Sequence, residues 1–271
     1  MPPPVQQNAP AGARRRGGLV FLAVLVVLTI AAAVGSFLWK SGLTARSVGI
    51  EENRIVTREA ILKLAAVPLN KRLEEIDLSS IRKRVLQSPY IKNATVHRDF
   101  PDRVVIRVEE RVPVAAIAAE KLFYVDREGQ ILPGVQSEFV FDLPVITGAC
   151  AVQECRPGKR IAHPTLEEAL RVVLASEQIS NPLYRRISEI HLQPNGELLL
   201  YTAEFGIPVY FGRGSIVDKL TLLEGFWMTV VNSQGAQSLR TVDVRFADQV
   251  VACWEPSVYD GPAEHQKNKQ N

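Results

Sequence analysis

The stretch SPYIKNATVHRDFPDRVVIRVEERVPVAAI, Ser88 to Ile117, decides the reading of this chain. Ser88-Pro89 stops the helix before it, because a proline ring disfavours helical backbone at the residue that precedes it. From Ile91 to Arg98 apolar and polar residues alternate, with Ala94 and Val96 on one face and Asn93, Thr95 and His97 on the other. That is the period of a half-buried strand. Phe100-Pro101-Asp102 supplies turn chemistry, and Val104, Ile106 and Val108 then alternate with Val105, Arg107 and Glu109, so the pair reads as a hairpin. Pro113 has no amide proton to give to a ladder and ends that strand's pairing on one side.

Upstream, Ser47 to Ile55 reads as a first strand. Thr57 caps a helix whose Glu59 suits the positive N-terminal end and whose Ile61, Leu62 and Ala65 face inward. Asp77 caps a second helix with Leu78, Ile81 and Val85 at spacings of three and four. Over residues 46–114 the order is therefore β-α-α-β-β.

Downstream the chain turns mainly to strand. Leu122 to Val125 and Gln130 to Leu132 flank the turn Asp126-Arg127-Glu128-Gly129, and Pro144 to Gly148 continues the sheet. Ile187 to Leu192 and Glu197 to Ala203 flank Pro194-Asn195-Gly196, and Ile207 to Phe211 leads into Gly212-Arg213-Gly214, read as a turn. The last strands are Thr241 to Phe246 and Val250 to Trp254. Two amphipathic helices interrupt them, Thr165 to Ile179 and Ser215 to about Val231, the second burying Ile216, Leu220, Leu223 and Trp227.

The other end of the chain explains its charge. Gly17 to Trp39 is a run of 23 residues without an ionisable side chain. As a helix it would reach about 35 Å, enough for a hydrocarbon core of about 30 Å. Arg14, Arg15 and Arg16 precede it and, by the positive-inside rule, orient residues 1–16 to the cytoplasm and residues 40–271 to the far side. A cleaved signal peptide ending near Ala31 to Ala33 is the alternative, and it leaves the same residues outside. The Pro- and Gln-rich tail 1–16 and the final residues 256–271 read as disordered.

The net charge of +3 lies wholly in those three arginines, because the remaining 232 residues carry 29 basic and 29 acidic side chains. A neutral body has no basic excess with which to grip a phosphate backbone, so nucleic acid is not an expected partner. No catalytic set emerges either. His97, His163, His191 and His265 are scattered, and the pairs Glu51-Glu52, Glu74-Glu75, Glu109-Glu110 and Glu167-Glu168 are adjacent in sequence, so in a strand each pair points to opposite faces. No cofactor or metal is expected, and a membrane-tethered hydrolase lacks its nucleophile and base. Cys150 and Cys155 enclose a four-residue loop, where a local disulfide would contribute about 2 kcal/mol outside the cytoplasm. Zinc held by this pair with His163 is the weaker alternative. Cys253, inside the last strand, reads as a small buried apolar residue.

The β-α-α-β-β order directly after one apolar span resembles a polypeptide-transport-associated (POTRA) domain, and Ser88 to Ile117 is similar to the FtsQ/DivIB type. VYFGRGSIVDKLTLLEGF, Val209 to Phe226, and TVDVRFADQVVACW, Thr241 to Trp254, resemble that family's strand-to-helix junction and closing hairpin. The resemblance implies an α+β chain: an N-terminal transmembrane helix (17–39), a POTRA domain (46–114), and a mainly antiparallel β-domain with two helices (115–255). It implies a single-pass inner-membrane protein with a periplasmic bulk, a non-enzymatic scaffold at the division septum. Its partners would be FtsB (DivIC) and FtsL among other division proteins. FtsB would join the last strand by strand addition at Arg245, Phe246 and Trp254, with Phe246 replacing the family's usual tyrosine. Asn93, Val96 and Arg98 match the POTRA strand linked to recruitment, Arg98 being the surface candidate. The cysteine loop lies outside the family pattern. A POTRA factor of outer-membrane assembly or secretion is the alternative, but the second half shows too few amphipathic strands for a barrel.

Overall fold

In the computed structural model, residues 13–41, 43–134, 141–148 and 155–255 are described. The uncharged run lies in one continuous helix, α1 (Ala13–Ser41), with Arg14, Arg15 and Arg16 in its first turn. Its side chains are described from Val20 to Ser36, all exposed. Among the described residues no helix is long and apolar enough to cross a membrane, a span needing about 20 residues. Residues 1–12, the tail 256–271 and Cys150 lie outside the described residues, whereas Ala13 to Arg16, expected as part of the disordered tail, are the first turn of α1.

Beyond α1 the chain divides into two compact units, one ending at Gln87 but taking in Asn93–Glu109, the other made of Ser88–Lys92 and the residues from Glu110 on. The first unit contains β1 (Ser47–Glu51), α2 (Arg58–Ala65), a 3-10 turn (Leu73–Glu75), α3 (Leu78–Val85), β2 (Ile91–Asp99) and β3 (Arg103–Glu110). Its sheet has the order β1-β3-β2, with β1 parallel to β3. Thr57 caps α2 by accepting from the Ala60 amide, and Asp77 caps α3 by accepting from the Ser79 and Ser80 amides. Both hydroxyls also donate to Asp77, Ser80 foremost, and hold its carboxyl far below the usual range. Ile61, Ala65, Leu73, Ile76, Ile81 and Val85 are buried with Val104, Ile106 and Val108. Each of these valine, leucine and isoleucine side chains contributes about 1.5–3 kcal/mol.

Two expectations need correction here. β1 stops at Glu51 rather than Ile55, because Glu52 takes a left-handed backbone (φ 66°) that cannot continue a strand. Val105, placed on the polar face, is buried. It lies in register with Gly49, over which the Arg103 side chain folds, so this face of β3 is covered too.

The second unit continues with β4 (Pro113–Ala118), β5 (Leu122–Asp126), β6 (Ile131–Pro133), β7 (Val145–Thr147), α4 (Pro164–Ile179), α5 (Asn181–Arg186), β8 (Ile187–Leu192), β9 (Leu198–Thr202) and β10 (Pro208–Gly212). Then come α6 (Ile216–Phe226), a π-helical turn (Trp227–Val231), α7 (Asn232–Gln234), β11 (Leu239–Asp243) and β12 (Val251–Trp254). One sheet holds nine strands in the order β12-β11-β10-β9-β8-β7-β4-β5-β6. Antiparallel pairs outnumber parallel ones, yet β4–β7, β7–β8 and β10–β11 are parallel, so the sheet is mixed. Helices cause two of these: the connections through α4–α5 and through α6 each return the chain in its original direction, as a crossover must.

Leu166, Ala169, Leu170 and Val173 of α4 and Leu220 and Leu223 of α6 bury against Ile146, Ile190, Leu200, Val209 and Val242 of the sheet. A half-buried polar joint ties the helices together. Glu224 accepts from Ser180 at 2.7 Å and from Arg186 at 2.8 Å, while the Arg186 guanidinium lies 4.8 Å from the Trp227 ring centre. α5 is a helix beyond the two that the sequence pattern shows in this half. Its signal is Ser180-Asn181-Pro182: the Ser180 hydroxyl accepts from the Leu183 amide, and proline suits the first turn.

Candidate functional site

A sheet edge can pair with another chain only where its backbone is open. At one end β6 is covered: the Ile131 amide donates to the Lys159 carbonyl and the Gly158 amide to the Ile131 carbonyl, both at 2.8 Å. Gln130 and Arg160 form a bridge beside them. At the other end β12 pairs with β11 and with no other strand among the described residues.

Register fixes which side chains surround that open edge. Val251, Asp243 and Tyr210 lie side by side across β12, β11 and β10, on the outward face. Ala252, Val242 and Val209 form the row facing the core. Cys253 therefore points outward and is exposed, contrary to its reading as a buried apolar residue. Trp254 is on the inward face, half-buried against the core, and so serves the fold as well as the edge.

Arg245 and Phe246 were expected inside a strand from Thr241 to Phe246, but β11 ends at Asp243. The Asp243 carboxylate accepts from the Arg245 backbone amide at 2.9 Å, a local turn that competes with the ladder. It also takes the Arg245 guanidinium at 2.6 Å, and this bond, with the pairing of charges, lowers the Asp243 pKa. The guanidinium lies 5.3 Å from the Tyr210 ring centre, an arrangement suited to cation–π attraction. Phe246, 48% exposed, follows in the same turn.

Beneath this turn the Gly-Arg-Gly bend is held from below. Gly212 has φ 71°, and a Cβ there would sit 3.0 Å from the Arg245 Cγ, so only glycine lets Arg245 lie across it. Lys219, buried, donates its Nζ to the Phe211 and Arg213 carbonyls, and burial pushes its pKa down. Tyr210 is a site residue absent from the sequence-based candidates. Its signal was available, since it alternates outward between Val209 and Phe211.

The three candidate residues of β2 separate. Asn93 is exposed and accepts from Arg82 at 3.1 Å, and Val96 is half-buried. Arg98 donates to the carbonyls of Leu73, Glu74 and Ile76 at 2.6, 3.2 and 2.9 Å. Its guanidinium ties the 3-10 turn to β2, which corrects its reading as a free surface group. Cys155 is half-buried and, with His163, lines a cavity of about 40 Å³. Among the described residues no three His, Cys, Asp or Glu side chains group to hold a metal.

The small helix-covered sheet and the long sheet after it correspond to two known modules. A POTRA domain of FtsQ type matches residues 43–111, and a module described as FtsQ/DivIB, C-terminal related, matches residues 112–253. The chain belongs to the FtsQ/DivIB family of cell division proteins. Cell division protein FtsQ of Rhodothermus marinus is 30% identical over 249 residues, covering 89% of this chain and 88% of its own length. FtsQ of Syntrophotalea carbinolica is 29% identical over 209 residues, covering 77% and 74%. FtsQ of Salinibacter ruber is 25% identical over 242 residues, covering 86% and 91%.

Proposed function

We propose that this cell division protein is a non-enzymatic scaffold, held in the inner membrane by residues 17–39 with residues 1–16 cytoplasmic and the folded part periplasmic. The 23-residue uncharged run inside α1 and the three arginines before it support the anchor. In this reading residues 46–114 form the recruiting module, Asn93, Val96 and Arg98 marking its strand, and residues 115–255 form the docking module. Cys150 and Cys155 close a local disulfide, and residues 256–271 are a tail.

The open edge of β12 carries the proposal. An FtsB-like chain, arriving with an FtsL-like one, adds a strand there, its backbone supplying affinity and its alternate side chains meeting Val251, Arg245 and Phe246. The protein thereby links division proteins at the septum. The test is capture of an FtsB-like chain by the full-length protein in detergent. Phe246→Glu should abolish capture while the circular dichroism spectrum stays unchanged; undiminished capture would remove the edge from the proposal. Trp254→Ala should also abolish capture, but its half-buried ring makes a parallel melting curve necessary.

A further inference from the structure

The neutral body conceals a division of charge between its modules. Residues 43–111 carry 14 Lys and Arg against 10 Asp and Glu, whereas residues 112–271 carry 14 against 19. The module that follows the anchor in sequence is thus basic and the second module acidic.

The chain path concentrates part of that charge at one place. Leu43, Thr44 and Ala45 pair with the segment 70–73: Ala45 donates to the Lys71 carbonyl, Asn70 to the Ala45 carbonyl and Leu73 to the Leu43 carbonyl, at 2.8–2.9 Å. Thr44 and Arg72 form a bridge. Thr44 is three residues beyond Ser41, the end of α1, so it stays within about 11 Å of that end whatever the chain does between them. Lys71 and Arg72, distant in sequence, are therefore pinned next to the helix exit beside Arg46. The side chains of all three are exposed and form no ion pair among the described residues. Glu74 and Glu75 follow on the segment, and Arg98, bonded to its carbonyls, adds a further cation.

We infer that Arg46, Lys71 and Arg72 form a collar that binds anionic phospholipid headgroups of the leaflet into which the anchor emerges. The inference rests on the anchor reading above. Cations this near a bilayer lie within the Debye length, about 10 Å at 0.1 M salt, and each strengthens attachment to an anionic surface roughly fivefold. The collar would fix the height and tilt of the first module over the membrane.

The test places the full chain in nanodiscs containing photoactivatable phosphatidylglycerol or, at equal mole fraction, photoactivatable phosphatidylcholine. Crosslinks to peptides spanning 70–73 should be roughly fivefold or more abundant with the anionic probe. The excess should vanish at about 0.5 M salt and in Lys71→Glu/Arg72→Glu, whose circular dichroism should match the parent's. Equal crosslinking by the two probes, with the chain resisting alkaline carbonate extraction, overturns the collar and leaves the anchor standing. Extraction of the chain by carbonate overturns the anchor, and the collar with it.

Discussion

At one end of the nine-stranded sheet, Ile131 of β6 gives both its amide and its carbonyl to the chain at 158–159, and Ile161 packs against Gly129 beside it. At the other end β12 has, among the described residues, β11 alone, and exposed Val251, Cys253 and Phe246 lie along or next to its open side. Both edges face the same hazard of pairing with a stray strand. One is closed by the chain itself; the other is open among the described residues, and it is there that the proposed strand addition would occur.

The largest effect that would break this contrast is expected at the covered end. Leu132→Lys puts an ammonium group where the native side chain is 0% exposed and should cost about 3 kcal/mol or more in urea unfolding, before any partner is added. At the open end Val251→Lys should leave stability within about 0.5 kcal/mol. It should weaken capture of an FtsB-like strand about tenfold, close to 1.4 kcal/mol, because edge lysines discourage strand pairing. If both substitutions merely unfolded the protein to the same degree, the two edges would be equivalent. The smallest effect is a pH profile. Arg245 lowers the Asp243 pKa below its ordinary 3.8, so the turn they form is intact above that value and is lost only as pH falls through the lowered one. Capture should therefore be flat from about pH 5 to 8, and a midpoint inside that range would show that another group sets the turn.

Much of the fold was legible because local signals agreed with the packing. Thr57 and Asp77 announced their helices, and the hairpin around Phe100-Pro101-Asp102 followed from alternation and turn chemistry. The misreadings share a cause: strand alternation says nothing about what a single side chain does to its own backbone. TVDVRF alternates as far as Phe246, yet Asp243 turns back on Arg245 and ends β11. Likewise the Glu51-Glu52 step looked continuous with β1 until Glu52 took a left-handed conformation. The candidate site was read less well than the fold. Cys253 was assigned to the wrong face because only the pairing with β11, which turns Ala252 and Trp254 inward, decides the matter. Arg98 looked like a surface charge because bonds to carbonyls some 22 to 25 residues earlier leave no mark in a sequence.

The order of strands along the chain bears on biosynthesis. β6 precedes its cover by fewer than thirty residues, so a chain emerging N-terminus first can mask that edge soon after it appears. β12 follows every other strand among the described residues, and β11, its neighbour, comes just before it. Among the described residues this edge is thus the last piece of the sheet to be synthesised. If β12 takes a partner strand as proposed, a nascent chain has nothing to offer that partner until the rest of the sheet is available to hold it.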